Sequence, residues 1–111
     1  MKKIFLLLLI LFLGCNNSDI KLKTVDASDI NNQIKKHKGS KAVLTNFWAT
    51  YCVPCIEEFP MIVDLSKKYS EKGMQIYFVS ADWLDRKQEV RDFLLEKDVK
   101  GLSFIKEEGN D

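Results

Sequence analysis

Proline, glycine, histidine and cysteine are all scarce in this chain. Its 111 residues include two prolines, five glycines, one histidine and three cysteines. So little glycine excludes a collagen-type triple helix, which needs it at every third position. No self-similar period of about 20–50 residues marks a solenoid. Three cysteines are too few for a disulfide-scaffolded fold, where an even set of four or more is usual. An excess of charge of one sign is missing too: 17 basic against 16 acidic side chains leave +1. That supplies no electrostatic footprint for nucleic acid, which is not an expected partner. What is present is 46% hydrophobic and 30% charged residues, a globular composition sized for one small domain.

Met1, Lys2 and Lys3 open the chain with positive charge, and Ile4 to Leu13 is unbroken apolar sequence. As a helix such a run spans only about 15 Å, against a hydrocarbon core of about 30 Å. It reads as a signal-peptide core and not as a spanning helix. Gly14-Cys15 and polar Asn16-Asn17-Ser18-Asp19 follow directly. This junction resembles a bacterial lipobox, which implies lipidation at Cys15. Phe12 and Leu13 depart from the usual pattern of leucine and a small residue at those places. The expected organisation is a lipoprotein-type signal over 1–14, a tether over 15–24 and one domain over 25–111. The expected location is the cell envelope or periplasm, with the membrane held through acyl chains because no basic patch assists them.

The remainder alternates in period. Asp26-Ala27-Ser28-Asp29 offers helix caps ahead of Ile30 and Ile34. Lys35, Lys36, His37 and Lys38 suit the C-terminal end of that helix, where His37 is expected to be solvated. Ala42 to Phe47 and Gln75 to Ser80 read as apolar, buried strands. Between them, Phe59, Ile62, Val63, Ser66 and Tyr69 form one helical stripe over about 53–72, with Pro60 expected to kink it. Arg86 to Lys97 is a further helix, aligned on Val90, Phe93, Leu94 and Lys97, and Leu102 to Ile105 is a further strand candidate. Tyr77, Phe78, Phe93 and Phe104 are core candidates. Alternation of this kind predicts an α/β fold of parallel strands joined by helical crossovers.

The chemistry concentrates at Cys52-Val53-Pro54-Cys55, where a strand ends and a helix begins. A thiolate is the nucleophile of thiol–disulfide exchange, and a helix N-terminus favours it. Cys55, one turn on, is spaced to attack a mixed disulfide, and Pro54 falls in the first turn, where a missing N–H costs nothing. A structural disulfide and half of a zinc site, or metal delivery through the pair, are the alternatives. Zinc needs four ligands, and only Cys15 and His37 remain to supply them. No cofactor and no resident metal are expected. Trp83, in the loop after the second strand, either lines the site or is packed beside it.

Asn46-Phe47-Trp48-Ala49-Thr50-Tyr51-Cys52-Val53-Pro54-Cys55, with Glu58-Phe59-Pro60, resembles the active-site segment of the thioredoxin superfamily. The nearest subgroup is the TlpA/ResA-like envelope thiol–disulfide oxidoreductases. The resemblance implies a thioredoxin-like fold with a central sheet flanked by helices. It implies attack by Cys52, resolution by Cys55 and a redox disulfide between them. Trp48 matches the tryptophan beside the site, and Pro60 the proline in the active-site helix. Tyr51 stands where the subgroup has tryptophan, and Val53-Pro54 is the dipeptide that helps set redox poise. Asn46 replaces the buried aspartate of classical thioredoxins and cannot titrate, which leaves Glu58 as the candidate for proton handling. Implied substrates are protein disulfides or dithiols, with apocytochrome c among them.

No proline follows Pro60. The superfamily's cis-proline loop, hairpin and last helix are therefore expected to be missing here. The expectation is a partial thioredoxin-like domain, with a non-catalytic fragment or binding module as the alternative function.

Overall fold

The computed structural model describes residues 20–108. The signal segment, the lipobox and Cys15 lie outside them. Four strands and three helices follow one another: β1 (Ile20–Val25), α1 (Ala27–Lys35), β2 (Ala42–Trp48), α2 (Val53–Tyr69), β3 (Met74–Ser80), α3 (Lys87–Glu96) and β4 (Gly101–Lys106). A short 3₁₀ turn, Leu84–Arg86, leads into α3. The strands form one parallel sheet in the order β1-β4-β3-β2. Among the described residues, no helix is long and apolar enough to cross a membrane.

One sequence expectation changes here. The tether assigned to 15–24 overlaps β1, because Ile20 to Thr24 are in the sheet. Ile20 and Leu22 face the core while Lys21 and Lys23 are exposed. This is the period of two that a strand requires. β1 pairs with β4 along its whole length, from Ile20↔Gly101 to Val25↔Lys106. The strand candidate at 102–105 is β4, lodged between β1 and β3. It meets β3 only at Val79↔Phe104 and Ser80↔Ile105, so the two strands diverge towards their N-termini. Lys67 Nζ bonds Asp98 Oδ2 at 2.6 Å beside that opening. This hydrogen bond, and the charges of Lys67 and Lys100, hold the Asp98 carboxyl below its usual range.

Helix α1 covers one face of the sheet. Asp26 caps it, accepting from the Asp29 N–H at 2.8 Å while the Asp29 carboxylate accepts from the Asp26 N–H at 3.1 Å. Beneath it, Val25, Tyr77, Val79 and Phe104 form a small core joined by Ile30, Val43 and Leu102. His37 is not simply solvated: its Nε2 lies 2.7 Å from the Tyr77 hydroxyl, which also accepts from Gln33 Nε2 at 2.9 Å. These bonds tie the end of α1 to the central strand. Tyr77→Phe is expected to cost about 1 kcal/mol, since Gln33 and His37 are half-buried and can turn to water. Urea denaturation of the two proteins measures it.

Helices α2 and α3 cover the other face over the main core. Phe59 and Val63 of α2 and Val90 and Leu94 of α3 meet Ile20, Trp48, Ile76, Phe78 and Ile105 from the sheet. The rings interlock, with Phe59 centred 4.9 Å from Trp48, 4.8 Å from Phe78 and 5.0 Å from Phe93. This packing fixes the start of α2 against the C-terminal ends of β2 and β3. Binding sites of α/β folds gather at that end of the sheet.

Candidate active site

β2 and β3 end side by side at Trp48↔Ser80, and Ala81 N–H extends the ladder by donating to Trp48 C=O at 2.8 Å. The chain then turns over residues 49–52, where Cys52 N–H donates to Ala49 C=O at 3.1 Å. Cys52 is the N-cap of α2, with extended backbone, φ −90° and ψ 95°. Its carbonyl accepts from Ile56 N–H at 3.0 Å, the first helical bond. Pro54 occupies the second helical position, where an N–H has no helical acceptor. Cys52 and Cys55 are joined in a disulfide with Cα atoms 5.3 Å apart. Both are half-buried, but Cys55 packs against the main core while Cys52 lies between exposed Tyr51 and Val53.

The other residues singled out from the sequence are spread around this pair. Trp48 is buried beneath the loop, stacked 4.8 Å from Phe93. Asn46 shares the sheet face of Trp48 and is half-buried opposite Phe78. Pro60 lies inside α2 at an exposed position, so the Ile56 carbonyl has no N–H from that residue. Glu58 is exposed and makes no hydrogen bond or ion pair among the described residues. Tyr51 is 64% exposed, and its hydroxyl reaches Ala81 C=O at 3.5 Å. Trp83, also 64% exposed, borders a groove with Tyr51, Asp82 and residues 106–108. His37 sits with Tyr77 under α1, on the face away from α2, and does not join the cysteines.

A family model described as Redoxin matches residues 16–109. The chain belongs to the Redoxin family. It is 41% identical over 68 residues to the thiol-disulfide oxidoreductase ResA of Bacillus thuringiensis, covering 61% of this chain and 38% of that one. To ResA of Oceanobacillus iheyensis it is 39% identical over 66 residues, covering 60% and 30%. To the thioredoxin-like protein YneN of Bacillus subtilis it is 36% identical over 93 residues, covering 82% and 50%. The chain thus spans half or less of the length of these relatives.

In this redoxin one residue near the site carried no motif. Asp82 is 2% exposed, in the loop after β3. Its carboxylate accepts from Thr50 N–H at 2.9 Å, from the Thr50 hydroxyl, and from the Ser80 hydroxyl at 2.7 Å. Arg86 Nε stands 3.8 Å away. The only sequence signal was a Ser-x-Asp step directly after an apolar strand, and its partner Thr50 is 32 residues distant.

Proposed function

We propose that this chain is a thiol–disulfide oxidoreductase of the cell envelope, acting on protein disulfides or dithiols. The observation that carries the reading is the Cys52–Cys55 pair at the N-terminus of α2. In reduction, the Cys52 thiolate attacks a substrate disulfide and displaces one substrate thiolate, forming a mixed disulfide. The Cys55 thiolate then attacks Cys52 Sγ. The second substrate thiolate leaves, and the pair has given up two electrons and closed its own disulfide. Oxidation of a dithiol is the reverse. Unpaired dipoles at the helix start favour the Cys52 thiolate. Glu58, one turn beyond Cys55, is the candidate to take the proton of the second thiol. Acylation of Cys15 would tether the domain to a membrane, and apocytochrome c is a candidate substrate.

The test is insulin reduction by the full chain in detergent with dithiothreitol as donor. Precipitation faster than with the Cys52→Ser chain is expected, and equal rates would overturn the reading. The alternative is a module that binds without turnover. It draws on the exposed Leu44 and Phe47 of β2, the strand that leads into the site. Equal rates together with retained peptide binding would favour it.

A further inference from the structure

We propose that Asp82 is a positioning residue for the redox loop, acting through Thr50 to hold Cys52 at the N-terminus of α2. The inference rests on the oxidoreductase reading and concerns how its nucleophile is kept in place. One carboxylate receives both the backbone N–H and the side-chain hydroxyl of Thr50. A residue held at both points has its backbone and its rotamer fixed together. Thr50 precedes Cys52 by two residues, and Cys52 N–H is itself bonded to Ala49 C=O. Little backbone freedom remains between the anchored residue and the reactive sulfur.

The anchor is firm on its own side. Asp82 N–H donates to Ser80 Oγ at 3.0 Å, and that hydroxyl donates back to the carboxylate. Ser80 is the last residue of β3 and is fully buried. Arg86, near the carboxylate, is also paired with Glu89. A buried carboxylate is tolerated only when its oxygens are occupied. Here the loop bearing the cysteine supplies two of the donors, so satisfying Asp82 and seating the loop are the same event.

The consequence has a defined sign. A helix terminus acts on charge only within its first turn. Loosening residues 49–52 weakens that support, disfavours the Cys52 thiolate and so favours the disulfide. The potential of the pair then becomes more negative. The bare charge of Asp82 works the other way: an anion near the sulfur disfavours the thiolate, and removing it alone would make the potential less negative.

The experiment uses the full chain in detergent, as wild type, Thr50→Val, Thr50→Ser and Asp82→Asn. Iodoacetamide alkylation of Cys52 across pH and equilibration with glutathione are the readouts. Thr50→Val keeps the charge of Asp82 and removes one donor. It is expected to raise the alkylation midpoint and shift the glutathione equilibrium about tenfold towards the disulfide, or about 30 mV. Thr50→Ser restores wild-type behaviour. Asp82→Asn shifts the same way as Thr50→Val despite losing a negative charge. A folded Thr50→Val chain with wild-type midpoint and potential overturns the inference, as does a less negative potential in Asp82→Asn. A wild-type pair that is not alkylated by iodoacetamide once reduced and does not exchange with glutathione overturns the oxidoreductase reading and this inference with it.

Discussion

On the proposed exchange mechanism, replacing Cys55 by serine is expected to turn a catalyst into a trap. Cys52 keeps its N-cap position between exposed Tyr51 and Val53, and on that mechanism it still attacks a substrate disulfide. The mixed disulfide then has no neighbouring thiol to resolve it. In the wild-type chain the second sulfur belongs to a residue whose Cα is 5.3 Å from that of Cys52. Well-oriented intramolecular groups reach effective molarities of about 10⁵–10⁸ M, far above any added thiol. Insulin turnover by Cys55→Ser should therefore fall to background while one covalent adduct forms per chain, visible by non-reducing electrophoresis and intact mass. Cys52→Ser should give neither turnover nor adduct. Adducts of equal yield on the two variants would show that the sulfurs are interchangeable, contrary to their different surroundings.

The largest stability loss is expected at Phe59. It is 0% exposed and its ring meets Trp48, Phe78 and Phe93. It joins α2, α3 and the two strands that lead into the site. Truncation to alanine removes these contacts and leaves a cavity walled by rigid rings, at a cost of about 3–5 kcal/mol. A domain of this size has only about 5–10 kcal/mol in total. Guanidinium denaturation of the oxidised proteins should show a large fall in midpoint with little change in slope. A loss below about 1 kcal/mol would mean that the aromatic cluster collapses around the gap.

The parts of this fold that were legible beforehand are those with one strong local signal. Apolar runs marked β2 and β3, and a stripe through Phe59 and Val63 marked α2. The resemblance over Asn46 to Pro60 implied the disulfide, and Cys52 and Cys55 are joined in one. β1 was missed because two of its six residues are lysines and its apolar residues are separated by them. An edge strand with one wet side carries only that faint alternation. Asp82 was missed for a different reason. Burial of a carboxylate depends on donors brought from 32 residues away, and nothing in its neighbours reveals them. His37 likewise reads as a polar helix end until the sheet delivers the Tyr77 hydroxyl to it.

The pairing of β1 with β4 also bears on the order of events during synthesis. These strands come from opposite ends of the described chain, and Glu107 N–H donates to Val25 C=O at 2.8 Å where they finish. On a ribosome, Ile20 emerges about 80 residues before its partner Gly101, roughly 4–16 s at 5–20 residues per second. Throughout that interval β1 has no strand to pair with, since β3 is reached only through β4. The sheet cannot grow strand by strand from the amino end. β2 and β3 can pair as soon as both are made, but β1 joins the sheet only once β4 has followed.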